Sequence, residues 1–444
     1  MKNVVVLGAG LSSNQLISYL EDEGGKHNWQ LKVVDRDLDL IKSKTKESTQ
    51  RSTADLSKKE EISKAILGAD LVVSMLPARM HLAVAELCLE QAIHLATASY
   101  LSPEIKALNE SVIHKKLIFL NECGLDPGLD HLSAMEMFED IRSKGGEITE
   151  FESFTGGLVA PDCEDNPWRY KFTWNPRNVV LASQGGAVKF LHNGRYKYIP
   201  YHRVFRRTEI VQIEGYGKFE GYANRDSLKY RETYGLEKVQ TMYRGTFRRP
   251  GFSKAWNCLV QLGATDDSYV VEDCENMSHR DFVNTFLAYH PTDSVELKLK
   301  QYLKIDQDDT ELWEKLESIG LFSNESIGLS KASPAQILQH ILQKSWSLKD
   351  NDRDMIVMWH KITYQLNGKS FVKESSMVTE GESNGKTAMA RTVGIPLAIA
   401  CKLILLGKIE QRGCVLPVSQ EFYAPILKEL EGFDIHFNET EKEA

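Results

Sequence analysis

The residues with the clearest chemical pattern lie near the start of the chain. Gly8, Gly10 and Ser13 follow the apolar run VVVL at the spacing G-x-G-x-x-G, with serine in place of the third glycine. In such a loop the first glycine makes a tight turn, the second lets the backbone approach a pyrophosphate, and the following helix directs amide groups at the negative charge. Asp35 ends the next apolar run, where a carboxylate favours the ribose of NAD over the 2′-phosphate of NADP, although Arg36 could reverse that preference. The pattern predicts a dinucleotide site.

The elements that must position this loop are short apolar strands, which alternate with helical patterns over the first 125 residues. Runs such as VVVL and LVVSML suit strands that are buried on both faces of a parallel sheet. The predicted strands span residues 4–7, 31–34, 52–54, 71–75, 93–98 and 117–121. Because ligands bind at the carboxyl ends of strands in such a sheet, Asp55, Leu56 and the segment 74–77 are predicted to line the adenine and nicotinamide ends of the site.

The segment NECGLDPGLDH, residues 121–131, follows the last of these strands and should lie at the same edge of the sheet. Asp126 followed by Pro127 predicts a helix N-cap with proline at the first helical position, and Asp130 falls in the first turn, where the helix dipole favours a carboxylate. Asp126 could both cap the helix and contact a substrate. His131 is the obvious alternative base, but we interpret it as structural.

After Gly145 the sequence changes to longer strands with alternating apolar residues. The dipeptides Asn193-Gly194, Tyr216-Gly217 and Asn367-Gly368 each separate two such strands and are typical of hairpin turns. These signals predict an antiparallel sheet.

Two helical regions are predicted in this second part of the chain. One is an insert over residues 278–350, in which Ser333 followed by Pro334 marks a helix start. The other is an apolar helix over residues 387–406, which Gly394 and Pro396 are expected to bend.

The predicted fold class is α/β, a Rossmann-type doubly wound parallel sheet, plus an α+β domain with an antiparallel sheet and a helical insert. The predicted dinucleotide-binding domain spans residues 1–130, and the C-terminal helices from about 390 to 444 are expected to pack back on it. The predicted substrate-binding and dimerisation domain comprises residues 131–277 and 351–389, and the insert comprises residues 278–350.

The composition and the absence of several motifs disfavour some classes of protein function. With 54 basic and 62 acidic residues the net charge is -8, which disfavours nucleic acid and anionic membrane surfaces as partners. The seven cysteines are scattered without a CxxC pair, so reduced thiols in the cytoplasm are expected. The start MKNVVVLG does not suggest a secretory signal, and no apolar run is expected to span a membrane. No spacing typical of metal ligands, of a serine nucleophile or of a P-loop occurs, so no metal is predicted.

Longer segments along nearly the whole chain resemble those of one enzyme family. They are TASYLSPEIKALN, NECGLDPGLDHLSAME, FTGGLVAPDCEDNPWRYKFTWNPRNVVLA, GYANRDSLKYRETYGL, MYRGTFRRPGF and KTAMARTVGIPLAIACKLILLG. The family is saccharopine dehydrogenase of the glutamate-forming type, also called saccharopine reductase. The resemblance implies an NAD(P)-dependent oxidoreductase of lysine metabolism, expected as a homodimer, that interconverts saccharopine with L-glutamate and 2-aminoadipate 6-semialdehyde.

The resemblance also implies the site residues. The family's cofactor positions fall on Gly8, Gly10, Leu11, Ser12, Asp35, Arg36, Asp55, Leu56, Leu76, Ala98, Leu125 and Asp126. Its substrate positions fall on Ser99, Tyr100, Asp126, Arg225, Thr246, Phe247 and Arg248. Two departures from the fungal members matter. Thr155 stands where they have a cysteine, so no thiol role carries over, and Asp35 stands where they have an uncharged residue, which favours NAD as the cofactor with NADP as the alternative.

The chemistry of such a substrate explains the residue types. Saccharopine carries three carboxylates and a secondary amine, and the planar fork of arginine binds carboxylates bidentately. Of the arginines in the second part of the chain we assign Arg225 and Arg248 to substrate and interpret most others as solvated strand residues. In the oxidative direction we expect a hydride to leave the glutamate α-carbon, which gives an imine whose developing positive charge Asp126 would stabilise. Tyr100 could orient the attacking water or shuttle a proton.

Two other interpretations stay open at this stage. A related carboxynorspermidine-type dehydrogenase would share the fold and the reductive-amination chemistry, but the two arginines in NRDS and RGTFR favour a tricarboxylate. A non-catalytic NAD(P)-binding sensor would have no need of a substrate pocket. Intact Tyr100, Asp126, Arg225 and Arg248 therefore favour the dehydrogenase.

Overall fold

The computed structural model describes residues 1–383 and 385–444. The chain divides into two compact units. Unit 1 comprises Met1–Ile148, Tyr364–Phe371 and Met377–Glu443, and unit 2 comprises Thr149–Thr363, Val372–Ser376 and Ala444.

The strands are numbered along the chain. They are β1 (Asn3–Leu7), β2 (Gln30–Asp35), β3 (Gln50–Thr53), β4 (Leu71–Ser74), β5 (His94–Ala96), β6 (Ile118–Leu120), β7 (Glu147–Val159), β8 (Val188–His192), β9 (Arg195–Ile199), β10 (Thr208–Ile213), β11 (Gly217–Ala223), β12 (Thr241–Arg248), β13 (Asp354–Leu366), β14 (Lys369–Glu380), β15 (Gly413–Val415) and β16 (Asn438–Glu443).

The α-helices are numbered in the same way. They are α1 (Asn14–His27), α2 (Leu38–Lys44), α3 (Lys59–Ile66), α4 (His81–Glu90), α5 (Pro103–Lys106), α6 (Asn109–His114), α7 (Leu129–Ser143), α8 (Pro176–Val180), α9 (Phe252–Leu262), α10 (His279–Thr285), α11 (Val295–Leu303), α12 (Thr310–Ser318), α13 (Pro334–Trp346), α14 (Ala388–Leu405) and α15 (Gln420–Leu430).

Unit 1 contains a doubly wound parallel sheet, as predicted. In the described part of the chain its seven strands run in the order β15-β6-β5-β4-β1-β2-β3, and each neighbouring pair is parallel. All six predicted strands form, including the weak third one. The sequence gives no signal for β15, because three residues are too few to show a periodicity. This strand joins the edge of the sheet by pairing with β6.

The main sheet of unit 2 is mixed rather than antiparallel, so the sequence prediction was wrong on this point. Its strands run in the order β10-β11-β12-β7-β13-β14, with β8 on β12 and β9 on β8. The predicted hairpin turns form, and Asn193 and Gly194 adopt φ of 48° and 71°, as a two-residue turn requires. However, β7 pairs parallel with β12. A hairpin fixes the direction of its own two strands, whereas the long connection between β7 and β12 leaves their relative direction to the tertiary fold.

The predicted helical insert forms as α10 to α13. Ser333 caps α13, because its hydroxyl accepts a hydrogen bond from the Gln336 amide at 3.3 Å and the Gln336 side chain accepts one from the Ser333 amide at 2.8 Å. This reciprocal arrangement is a capping box, and Pro334 occupies the first turn as expected.

The apolar helix α14 runs without interruption through Gly394 and Pro396. Gly394 has a packing reason to lack a side chain, since a Cβ there would lie 3.0 Å from the Leu16 amide nitrogen and 3.3 Å from the Ser12 carbonyl oxygen. By length and composition α14 could cross a membrane, contrary to the sequence-based expectation, but 78% of it is buried inside the chain. A core helix passes the same test.

Candidate dinucleotide and substrate sites

The glycine loop after β1 has the conformation that its sequence predicts. Gly8 adopts φ +98°, and a Cβ there would lie 3.1 Å from the Met75 carbonyl oxygen, so the turn excludes a side chain. Its amide donates to the Val34 carbonyl at 2.8 Å. A Cβ on Gly10, by contrast, would meet no atom of the described residues within 4 Å. The space beside Gly10 is therefore open, as a backbone that receives a pyrophosphate needs.

Asp35 lies at the carboxyl end of β2, and its side chain is hydrogen-bonded to the glycine loop. One carboxylate oxygen accepts a hydrogen bond from the Ala9 amide at 2.7 Å, and the other accepts one from the Asp37 amide at 3.2 Å. A carboxylate has about four acceptor sites, so lone pairs remain for two ribose hydroxyls. Arg36, next in the chain, is exposed. The loop and this carboxylate together fit the adenosine half of a dinucleotide.

Lys44, which the sequence analysis did not single out, contributes a cation to the same loop. Its ammonium group donates to the Gly10 carbonyl. Burial lowers the pKa of Lys44, and the nearby Asp35 opposes that shift. No local motif marks this lysine, because it approaches the loop only through the packing of α2.

The remaining predicted cofactor positions differ in exposure. Leu11 is 81% exposed and Ser12 is half-buried in the short 3-10 helix after the glycine loop. Asp55 is exposed and accepts hydrogen bonds from the Ser57 amide and hydroxyl, which lower its pKa. The other four residues are Leu76 and Ala98, which are half-buried, and Leu56 and Leu125, whose side chains are buried. Buried side chains leave mainly backbone groups to contact a ligand.

The loop that carries Ser99 and Tyr100 is held from both sides by Glu122. The Glu122 amide donates to the Ser99 carbonyl at 2.9 Å, and the Leu101 amide donates to the Glu122 carboxylate at 2.9 Å. The second carboxylate oxygen lies 3.1 Å from His131 Nε2, and both side chains are fully buried. The Tyr100 hydroxyl lies 3.5 Å from an Asp126 carboxylate oxygen. The fold thus brings the two predicted catalytic residues together, and His131 contacts the buried carboxylate that holds the loop of Tyr100.

The predicted helix start at Asp126 and Pro127 was wrong. The helix α7 begins at Leu129, with Gly128 as its N-cap at φ +147°, and the Asp126–Pro127 bond is cis. The Gly128 backbone lies so close to Gly124 that a Cβ would be 2.1 Å from it, so the chain folds back on itself before the helix begins. Asp126 is therefore not the N-cap of α7. Asp130 does lie in the first turn, where its carboxylate accepts from the Gly128 amide at 2.6 Å.

A buried histidine connects the ends of β4 and β5. His81 Nδ1 lies 2.9 Å from the Ser74 hydroxyl, and Nε2 lies 2.7 Å from the Ser99 hydroxyl. The imidazole is 2% exposed, and burial lowers the pKa of His81 to about 4. It is therefore neutral near pH 7, with one nitrogen as donor and the other as acceptor. The sequence contained no signal for this contact.

In unit 2, Arg248 lies in a pocket of aromatic rings. Its guanidinium carbon is 4.9 Å from the centre of the Tyr170 ring, 5.3 Å from that of Phe252 and 5.9 Å from that of Tyr222. The side chain is buried, its Nη1 donates to the Phe247 carbonyl at 2.7 Å, and its Nε has no hydrogen-bond partner among the described residues. The aromatic faces stabilise the cation, but they do not replace an anion.

The neighbouring Arg249 differs from Arg248 because it has a carboxylate partner. It is also buried, unlike the solvated strand residues that we expected most of the other arginines to be, but its Nε lies 2.5 Å from a Glu164 carboxylate oxygen. The other predicted substrate residues of unit 2 lie in different environments: Arg225 is exposed, Thr246 is half-buried and Phe247 is buried.

Two glycines of unit 2 make room for one aromatic ring. A Cβ on Gly245 would lie 2.3 Å from the Phe154 ring and 2.5 Å from the Tyr222 carbonyl oxygen, and a Cβ on Gly221 would lie 2.5 Å from the same ring. The glycine of the RGTFR segment is therefore explained by core packing, not by a ligand.

The parallel sheet, the glycine loop and the carboxylate after β2 define unit 1 as a Rossmann-type dinucleotide-binding unit. Residues 4–120 match the family profile described as "Saccharopine dehydrogenase NADP binding domain", and residues 124–435 match that of "Saccharopine dehydrogenase C-terminal domain". The chain belongs to the saccharopine dehydrogenase family.

Relatives of two lengths are similar to this chain. "Saccharopine dehydrogenase [NADP(+), L-glutamate-forming]" of Saccharomyces cerevisiae is 30% identical over 97% of this chain and 96% of its own length. "Alpha-aminoadipic semialdehyde synthase, mitochondrial" of Rattus norvegicus is 33% identical over 98% of this chain but 47% of its own length, so the chain spans about half of that relative. The solved structure of the apo yeast enzyme aligns with a TM-score of 0.90 and 28% identity, covering all of both chains.

Proposed function

We propose that this chain is an NAD(P)-dependent saccharopine dehydrogenase of lysine metabolism, which forms L-glutamate and 2-aminoadipate 6-semialdehyde from saccharopine or runs the reverse reaction. The full-length match to the yeast relative, whose name states this activity, supports the proposal. So does the dinucleotide loop of unit 1, with its open space at Gly10 and its carboxylate at Asp35.

The observation that carries the proposal is the state of Arg248. A buried guanidinium without a carboxylate partner in the described part of the chain is costly, and an anionic ligand would relieve that cost. The adjacent Arg249 is already neutralised by Glu164, so the unmet charge is confined to one position. A substrate with three carboxylates is the kind of ligand that supplies the missing anion.

The reaction that we propose requires few groups from the protein. The bound nicotinamide supplies the hydride acceptor. The expected hydride loss from the glutamate α-carbon does not fit these products, because hydrolysis would then release a 2-oxo acid instead of glutamate. The carbon that becomes the aldehyde must lose the hydride, which leaves a protonated imine. Water then adds to that carbon, and the C–N bond breaks to release glutamate. Asp126 would stabilise the positive nitrogen, and Tyr100, 3.5 Å from that carboxylate, would orient the water or pass a proton. Ser99, Arg225, Thr246, Phe247 and Arg248 are proposed substrate contacts.

The direct test is the change in absorbance at 340 nm when the purified chain is mixed with saccharopine and either NAD or NADP. We expect reduction of the nucleotide, and a faster reaction with NAD because of Asp35. A fall in kcat of Asp126→Asn at saturating nucleotide and saccharopine, with Tm unchanged, would support the assigned role. If both nucleotides bind but neither is reduced, the chain is a non-catalytic nucleotide-binding protein and the proposal fails.

We also propose that the chain acts as a homodimer in the cytoplasm. The described cysteines are all free thiols, which suits a reducing compartment. The dimer is expected from the family resemblance, and light scattering on the purified chain would test it.

A further inference from the structure

Ser74, His81 and Ser99 form a buried chain of hydrogen bonds, and its direction means which group donates and which accepts. The surroundings of Ser74 decide that direction. A neutral imidazole donates from one nitrogen and accepts at the other, so only one of the two serines can donate to it. Ser74 is 1% exposed, and among the described residues its hydroxyl has no partner other than His81. If Nδ1 carried the proton, the Ser74 hydroxyl hydrogen would be buried without an acceptor, which is the more costly arrangement.

The favoured arrangement therefore has the Ser74 hydroxyl donating to Nδ1, with the proton of His81 on Nε2. Nε2–H then donates to the Ser99 hydroxyl oxygen at 2.7 Å. Once Ser99 accepts this bond, its own hydrogen must point elsewhere. Ser99 is only half-buried and follows β5, one residue before Tyr100, so its hydrogen is available to a ligand.

We propose that His81 is a positioning residue that makes Ser99 an obligatory hydrogen-bond donor to a carboxylate oxygen of the substrate. This inference rests on the proposed function, since Ser99 is assigned to substrate there. The hydrogen-bond argument does not depend on that function. Ser74 fixes the tautomer of the buried His81, and this tautomer decides that the Ser99 hydroxyl accepts from His81 and donates elsewhere. A hydroxyl without that constraint would also accept hydrogen bonds and would favour a carboxylate less.

Two substitutions at His81 separate this role from simple packing. In His81→Asn the side-chain amide lies near the position of Nδ1, so it keeps the contact with Ser74 and loses the one with Ser99. In His81→Gln the amide reaches the position of Nε2 and can still donate to Ser99. We expect His81→Asn to raise KM for saccharopine by about tenfold with KM for the nucleotide unchanged, and His81→Gln to raise it by less than about threefold.

Ser99→Ala completes the test. If His81 acts through Ser99, His81→Asn should not raise KM for saccharopine further in a chain that already carries Ser99→Ala. If the role of His81 is purely structural, the two increases in KM should multiply. Multiplying effects, or His81→Gln as impaired as His81→Asn while both bind nucleotide normally, would overturn the inference. Saccharopine turnover by the unchanged chain distinguishes this result from failure of the proposed function.

A second measurement does not depend on activity or on a variant that folds. NMR of the chain labelled with ¹⁵N-histidine reports which ring nitrogen of His81 carries the proton. We expect Nε2–H. An Nδ1–H tautomer would reverse the direction of the chain Ser74–His81–Ser99 and refute the proposal.

Discussion

In unit 1, Asp35 and His81 both have hydrogen-bond partners within the unit, whereas in unit 2 Arg248 lies among aromatic rings with one hydrogen bond and no anion among the described residues. The two regions therefore prepare for ligands differently. The candidate sites of unit 1 are organised by the unit's own backbone and side chains before any ligand binds, so binding costs little reorganisation. The arginine region holds a buried charge that an anionic ligand would neutralise.

The adjacent pair Arg248 and Arg249 shows that burial alone does not separate these cases. Both guanidinium groups are buried, and Arg249 also lies over a ring, 4.4 Å from the centre of Phe219. They differ in Glu164, which pairs only with Arg249 of the two. An internal carboxylate makes a buried arginine structural, and its absence makes the arginine a candidate for binding.

The largest effect is expected from replacing these two arginines by methionine. Arg248→Met should raise KM for saccharopine by about 100-fold, because a desolvated carboxylate loses its partner, and should leave Tm unchanged or higher, because a costly buried charge is removed. Arg249→Met should instead lower the free energy of unfolding by about 3 kcal/mol, since in the described part of the chain Glu164 is left buried with only Arg169 as a partner. Steady-state kinetics and thermal unfolding measure both.

The distinction between a ligand-binding Arg248 and a structural Arg249 would be wrong if both variants changed Tm and KM in the same way. A fall in Tm for Arg248→Met as large as that for Arg249→Met, with KM unchanged, would mean that Arg248 is structural as well.

A smaller effect is expected from two glycines that lie in opposite surroundings. Gly10→Ala should leave the free energy of unfolding within about 0.5 kcal/mol of the original, since no atom of residues 1–383 or 385–444 lies within 4 Å of the added methyl group. It should nevertheless weaken nucleotide binding at least about tenfold by filling the open space. Gly245→Ala should cost about 1–3 kcal/mol of stability, because its methyl group meets the Phe154 ring and a carbonyl oxygen. Denaturant unfolding and nucleotide titration distinguish the two outcomes, and a destabilised Gly10→Ala would contradict the assignment.

The smallest effect is expected at Asp35. Asp35→Ala should shift the preference from NAD toward NADP by about tenfold, because the carboxylate that accepts from ribose and repels a 2′-phosphate is gone while Lys44 remains beside the loop. The matched control is Asp39→Ala on α2, a nearby carboxylate whose side chain is 92% exposed. Initial rates with both nucleotides give the ratio, and an equal shift in the control would show that net charge, not Asp35, sets it.

Much of unit 1 followed from the sequence, because its strands are continuous apolar runs and its glycine loop has a fixed spacing. The hairpins at Asn193-Gly194 and Asn367-Gly368 and the capped helix α13 were equally local, and all three form as predicted. The start of α7 was wrongly predicted, because a tight backbone turn occupies the residues that have the capping pattern. Asp126 and Pro127 have the composition of a helix start, but the close approach of Gly124 and Gly128 places the start at Leu129.

The amino-acid sequence by itself determined the six strands β1 to β6 of the parallel sheet, the hairpin turns and the capped start of α13, because these depend on residues a few positions apart. Only the tertiary structure decided which buried polar groups have partners: that Glu164 neutralises Arg249 and not Arg248, that His81 joins Ser74 to Ser99, and that β15 pairs with β6. The reason is physical. The partner of a buried side chain lies on a segment from a distant part of the chain. Hydrophobic periodicity and short motifs describe only neighbouring residues, so they do not predict such contacts.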